Sequence, residues 1–253
     1  MRKNIAAGNW KMNLDLASGK KLASEVINMV NDEVQNDAEV ILIPPFTHLT
    51  VVKQLIGSST SVHLGAQNCS DQKGGAFTGE ISTEMLQSVG VEYVVVGHSE
   101  RREIFGEDNA LLAAKTKAVL AQGLKPIYCC GEKLETREAN QHFDLNKAQI
   151  EEGLFDLSKA DIRKVVIAYE PVWAIGTGVT ASSDQAQEMH QFIRGLIAEK
   201  YDQETADGIS ILYGGSVKPD NAKELFSQPD VDGGLVGGAS LKSRDFTDII
   251  KSF

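Results

Sequence analysis

The amino-acid sequence predicts an α/β protein built as a closed, eight-stranded parallel (β/α)8 barrel, and three observations carry that prediction. Short β-branched runs alternate with longer amphipathic stretches along the whole chain. Several of the runs are apolar throughout, as expected of strands covered on both faces of a parallel sheet. The 253 residues, divided among eight strand–helix units, leave about 32 for each, which suits a barrel better than the alternative of a doubly wound open sheet. No Pro/Ser-rich linker or charge block breaks the rhythm, so residues 1–253 read as one barrel domain.

The first strand candidate, Ile5 to Asn9, follows the basic start Met1-Arg2-Lys3, and its apolar part is too short for a signal-peptide core. The amphipathic stretch Gly19 to Val30 then leads to a second strand, Val40 to Ile43. Val62 to Ala66 and Tyr93 to Val96 supply the third and fourth. Asp108 to Ala121 is the next amphipathic stretch, and Lys125 to Cys129 the fifth strand. The sixth, Val165 to Tyr169, is followed by the helical stretch Asp184 to Tyr201, which Ser182 and Gln185 precede at capping-box spacing. Ile209 to Tyr213 and Gly234 to Val236 complete the set. Parallel neighbours require crossover connections, and these are almost always right-handed.

Composition narrows the function. Hydrophobic residues make up 42% and charged residues 24%, ordinary globular usage that argues against a disordered or fibrous chain. Thirty-five acids against 25 bases leave a formal charge of -10, the wrong sign for a general nucleic-acid or anionic-membrane binder. Any anionic ligand then needs a local positive site. The three cysteines, Cys69, Cys129 and Cys130, form neither a disulfide framework nor a thiolate zinc motif, and suggest a reducing, cytoplasmic setting. No apolar run approaches the roughly 20 residues of a membrane helix.

In a parallel barrel the loops after the strands share one face, where chemistry gathers. Asn9-Trp10-Lys11 follows the first strand, Gly97-His98-Ser99-Glu100 the fourth and Glu170-Pro171 the sixth. Gly214-Gly215-Ser216 and Gly237-Gly238 follow the seventh and eighth. Glu170 stands out because it ends a buried apolar run, where an unpaired carboxylate is costly unless used or satisfied. His98 follows Val94-Val95-Val96 and opens a helical turn, Ser99-Glu100-Arg101-Arg102, whose positive end disfavours imidazolium. His48, His63, His142 and His190 lack that combination and read as structural. The glycine pairs read either as turns or as a phosphate cradle of backbone N–H groups.

A carboxylate, an imidazole and an ammonium beside such a cradle suggest proton abstraction next to a carbonyl of a small phosphorylated substrate. Glu170 would be the base, while Lys11 and His98 stabilise the developing enediolate oxygens. The segment Pro171 to Val179, apolar in its middle and glycine-rich toward its end, has the composition of a lid that excludes water. Dinucleotide, Walker A, H-E-x-x-H and G-x-S-x-G motifs are all lacking, so neither a cofactor nor a metal is expected. A rival enzymatic reading makes Lys11 a Schiff-base nucleophile of an aldolase-like barrel. A non-enzymatic rival, a barrel kept as an interaction protein, is disfavoured by the intact acid–base set.

At these residues the chain resembles the triosephosphate isomerase family over essentially its whole length. The resemblance rests on Ala7 to Asn13, Gly97 to Arg102, Ala168 to Gly178, Tyr213 to Val217 and Leu235 to Ser240, five motifs in compatible order. It implies the TIM barrel, which takes its name from this family. It also implies interconversion of dihydroxyacetone phosphate and D-glyceraldehyde 3-phosphate, in glycolysis and gluconeogenesis, with no cofactor. The catalytic set so implied is Glu170, His98 and Lys11. Asn9 would help place substrate and Lys11, Glu100 would support Lys11, and backbone N–H groups of Gly176, Ser216, Gly237 and Gly238 would hold phosphate. The family is usually a homodimer, which would bring Thr78, in the loop Gln67 to Glu80, near the other subunit's Asn9 and Lys11. Two departures stand out: Val179 at the C-terminal lid hinge, where lysine is frequent, and Cys130, where an aliphatic residue is usual.

Overall fold

The computed structural model describes residues 2–175 and 180–253. Its strands are β1 (Ile5–Asn9), β2 (Glu39–Ile43), β3 (Val62–Ala66), β4 (Tyr93–Val96), β5 (Lys125–Cys130), β6 (Val166–Tyr169), β7 (Ile211–Tyr213) and β8 (Gly233–Val236). They close into a barrel in sequence order, and every neighbouring pair is parallel. β8 returns to β1 with Ala7 opposite Leu235.

Alternate residues of these strands enter two different cores. Ile5 and Ala7 of β1, Tyr93 and Val95 of β4, and Ile127 and Cys129 of β5 join a cluster inside the barrel. Their neighbours Ala6, Val94, Val96, Tyr128 and Cys130 pack instead into the larger cluster under the helices. Both faces are dry, which explains the apolar runs. At Gly65 in β3, a Cβ would come within 2.8 Å of Ile43 Cγ1, so the missing side chain makes room for β2 inside the barrel.

The helical layer follows the expected pattern, with ends set by local capping. Leu16–Glu33 starts at Asp15, whose carboxylate accepts the Ser18 N–H, and Asn109–Ala121 starts at Asp108, which accepts the Leu111 N–H. Ser183–Lys200 carries the full reciprocal capping box between Ser182 and Gln185. β1, β3 and β4 have the bounds expected from sequence, and the other strands differ by one or two residues, with identifiable causes at β6 and β7. Val165 N–H still bonds to Ile162 C=O in the preceding turn, so β6 starts at Val166. Ile209 C=O accepts from Arg194 Nη1 instead of joining the ladder, and β7 starts at Ile211.

That arginine is the main polar fastener on the side of β7 and β8. Buried Arg194 donates to Asp230 Oδ1 (2.6 Å), Asp232 Oδ2 (2.7 Å) and the carbonyls of Ala206 and Ile209. Asp232 Oδ2 also accepts the Ile211 N–H at 2.8 Å, and Asp232 C=O accepts the Ile5 N–H, joining β7, β8 and β1. Burial pushes the Asp232 carboxyl above its ordinary range despite Arg194. Replacing Arg194 by Met would remove that carboxylate's buried ion-pair partner and leave it only the Ile211 N–H and the partly exposed Arg2, 3.4 Å away. Urea denaturation of Arg194→Met should therefore show a loss of about 3–5 kcal/mol.

Candidate active site

The loops after the strands bring together most of the polar residues singled out from sequence. Lys11 follows β1 in a left-handed backbone conformation, φ 51°. Its N–H donates to Asn9 Oδ1 (3.0 Å), and its carbonyl accepts from Gln67 Nε2 (2.7 Å). Its ammonium donates to Glu100 Oε1 at 2.7 Å. Asn9 and Glu100 thus both hold Lys11, one through the backbone and the other through the side chain.

His98 ends the turn after β4 and caps the helix Ser99–Ile104, its Nδ1 accepting the Glu100 N–H at 3.2 Å. A nitrogen that accepts carries no proton, so the neutral ring bears its hydrogen on Nε2. Nε2 lies 3.1 Å from Glu170 Oε1. The buried Glu170 carboxylate also accepts from Ser99 N–H (2.9 Å) and Ser99 Oγ (3.0 Å). A carboxylate that ends a dry strand is therefore fully hydrogen-bonded. Space for it comes from glycine: a Cβ at Gly214 would stand 2.7 Å from Glu170 Cγ, and one at Gly131 would stand 1.8 Å from the Glu170 carbonyl oxygen.

Lys11 and His98 face a cavity of about 590 Å³ whose far side is made by Gly214, Gly215, Ser216, Gly237 and Gly238. Glu170 does not line it. It lines a neighbouring cavity of about 280 Å³ with Ser99 and Cys130. Thr78 is exposed and takes no part in either cavity. Gly176 and Val179, with most of the glycine-rich end of the expected lid, lie outside the described residues. Among the described residues no group of three or more His, Cys, Asp or Glu side chains could hold a metal ion.

The other histidines are engaged in the scaffold. His48 bridges Thr47 Oγ1 and Asp15 C=O, and His63 Nδ1 pairs with Glu92 at 2.7 Å. Burial pushes His190 down to about 4, so it is uncharged at neutral pH. His142 packs against Phe143, ring to ring.

Three further neighbours of the site lie outside the candidate residues singled out from sequence. Ser99 lies within the segment Gly97 to Arg102, but its contact with Glu170 spans 71 positions. Gln67 acts from the far side of β2, donating also to Ile43 C=O at 3.2 Å. Glu132 carries a signal of the same kind as the other site residues, a polar side chain just past the end of β5. It is fully buried and accepts from Tyr169 Oη (2.9 Å), Trp173 Nε1 (2.9 Å) and Asn146 Nδ2 (3.0 Å). It anchors the turn Val172–Ala174 just beyond Glu170.

Residues 4–253 match the family model described as triosephosphate isomerase. Proteins of that name from Cytophaga hutchinsonii and Bacteroides fragilis are 58% and 55% identical over 253 residues, covering all of both chains. One from Flavobacterium johnsoniae is 50% identical over 250 residues, 99% of each chain.

The cysteine pair has a definite chemical character in this setting. Burial, reinforced by the nearby Glu170 charge, pushes Cys129 well above the ordinary thiol range; burial does the same to Cys130, and pushes Cys69 to about 12. All three remain thiols at neutral pH and are screened from solvent. A chromogenic disulfide reagent at pH 8 should therefore titrate no thiol rapidly in the native protein and three after denaturation.

Proposed function

The chain belongs to the triosephosphate isomerase family, and from that premise we propose how its residues divide the work of interconverting dihydroxyacetone phosphate and D-glyceraldehyde 3-phosphate. The observation that carries the reading is the approach of His98 Nε2 to Glu170 at 3.1 Å, beside a cavity that Lys11 shares with the glycine turns. Glu170 is the base. It takes a proton from the hydroxymethyl carbon of dihydroxyacetone phosphate and returns it to the adjacent carbon, giving the aldehyde. Between those steps the substrate is an enediolate, whose oxygens receive hydrogen bonds from His98 Nε2 and the Lys11 ammonium. His98 moves the hydroxyl proton from one oxygen to the other. The hydroxymethyl carbon is oxidised as its neighbour is reduced, so the exchange is internal and needs no outside oxidant or reductant.

Asn9 and Glu100 set the position of Lys11, through the 3.0 and 2.7 Å contacts to its N–H and ammonium. Phosphate rests on the backbone N–H groups of Ser216, Gly237 and Gly238, joined by Gly176. Binding there, away from the reacting carbons, leaves its energy for orientation. Glu170 works after leaving Ser99, because its docked carboxylate is held by Ser99 and Glu170 does not line the larger cavity. The Schiff-base alternative is weaker, since the contact with Glu100 keeps Lys11 Nζ as a hydrogen-bond donor.

A single-domain, cytoplasmic homodimer completes the reading. Among the described residues no helix is long and apolar enough to cross a membrane. Met12, Phe77 and Met85 expose 96%, 46% and 54% of their surfaces, on segments close in sequence to Lys11 and Thr78, and apolar exposure of this kind suits a second copy. In the dimer Thr78 supports the partner's site from across the interface.

Glu170→Gln keeps the shape but cannot accept the proton. Turnover of glyceraldehyde 3-phosphate, measured in chelated, cofactor-free buffer, should fall at least about a hundredfold while inorganic phosphate still binds. Unchanged turnover would sink the assignment, and a borohydride-trapped adduct on Lys11 would favour the aldolase reading. Sedimentation should give twice the 27.4 kDa chain mass, and Phe77→Glu should shift it to monomer with most turnover lost.

A further inference from the structure

Three lysines line the larger cavity, and two of them are paired. Lys11 Nζ is 2.7 Å from Glu100, and Lys242 Nζ is 3.5 Å from Asp245. The third, Lys218, is exposed two residues beyond Ser216, and among the described residues no carboxylate lies within ion-pair distance of its ammonium. Its backbone is nevertheless fixed. Asn221 Oδ1 accepts the Lys218 N–H at 2.8 Å, while Asn221 Nδ2 donates to Ser216 C=O at 3.0 Å. One amide side chain thereby ties the root of Lys218 to the residue that begins the phosphate cradle. Asp220 lines the same cavity and likewise has no cation within ion-pair distance among the described residues.

We propose that Lys218 is a capture residue for the substrate's phosphate dianion, an unpaired cation at the cavity rim whose field Asp220 tempers. The physical need is plain. A chain of net charge -10 repels a dianion at long range, so attraction must come from local charges that are not already neutralised. Lys11 and Lys242 have carboxylates against them; Lys218 keeps its full charge for the ligand. Because its long stem is exposed, the ammonium meets phosphate through water and acts on encounter and affinity rather than on the proton transfers. The proposal rests on the reading that Ser216, Gly237 and Gly238 hold phosphate.

The test is kcat/KM for glyceraldehyde 3-phosphate against ionic strength, with inhibition by inorganic phosphate measured alongside. At low salt Lys218→Met should lower kcat/KM about fivefold, with a smaller change in kcat, and Lys218→Arg should restore it. The deficit should close as the Debye length falls from ~30 Å at 0.01 M to ~3 Å at 1 M. Asp220→Asn should move kcat/KM the other way, upward by about twofold, and converge similarly. Lys200→Met, at the C-terminal end of the helix Ser183–Lys200 and at the opposite end of the barrel, removes an exposed cation that likewise has no carboxylate within ion-pair distance among the described residues, and should move neither quantity. Wild-type behaviour of Lys218→Met at low salt, or a deficit unchanged at high salt, overturns the proposal. Gly238→Ala separates the two levels, because a Cβ there meets nothing within 4 Å and the fold tolerates it. If Gly238→Ala leaves phosphate inhibition intact, the cradle reading fails; if it weakens inhibition while Lys218→Met does not, only the capture role fails.

Discussion

The structure depends on how closely three strand ends pass where β5, β6 and β7 meet. Glu170 N–H donates to Cys130 C=O and Gly214 N–H to Tyr169 C=O, both at 2.7 Å. At that separation neither flanking strand can carry a side chain beside Glu170: a Cβ on Gly131 would overlap its carbonyl, and one on Gly214 its Cγ. Closure of the barrel therefore sets the origin of the Glu170 side chain within a narrow tolerance, and the glycines are the condition for that closure. The same junction brings Ser99 and His98, from the end of β4, within hydrogen-bond distance of the carboxylate. The docked position of the Glu170 carboxylate is thus a consequence of backbone packing at three strand ends.

Much of this is legible in the sequence, because strand runs covered on both faces are marked by their apolar residues and end abruptly in polar ones. Glu170, His98 and Lys11 stand out by position alone, each just beyond such a run. Contacts that join distant strands are not legible. Gln67 reaches Lys11 across 56 positions, and nothing local to either residue reports the hydrogen bond between the glutamine side chain and the lysine carbonyl. Strand starts are less clear than strand ends for a related reason. Ile209 is as apolar as a strand residue, yet Arg194 takes its carbonyl, and that competition lies in a helix 15 positions away. Thr78 marks a different limit: it is exposed, it takes part in neither cavity, and its suggested role depends on a second chain.

Net charge proves a poor guide to where the charges act. Several acids behind the -10 are internal fasteners: Asp232 closes on Arg194, and Glu107 accepts from both Arg101 and Lys115. Glu132 is buried under the turn beyond Glu170. Such groups are matched by donors at contact distance, and their fields are largely cancelled at the surface. The potential that an anion meets is then determined by the few groups around the cavity, where lysines and backbone N–H groups outnumber nearby carboxylates.

Lys11 combines backbone strain with a charged side chain directed at the cavity. A non-glycine residue at φ 51° costs on the order of 1 kcal/mol relative to the ordinary regions, and glycine would relieve it. Glycine has no ammonium, however. The chain retains the lysine and offsets the cost through neighbours that grip both sides of its peptide, Asn9 at the N–H and Gln67 at the carbonyl. The left-handed turn lets the side chain approach the glycine turn after β8, where a Cβ on Gly237 would sit 3.6 Å from Lys11 Cε. Leu14, at φ 73°, and Asn140, at φ 55° and a helix end, also have positive φ, so the backbone conformation alone does not single out Lys11. What distinguishes Lys11 is the combination of an unfavourable backbone, dedicated hydrogen bonds that hold it there, and a charged group delivered to the cavity.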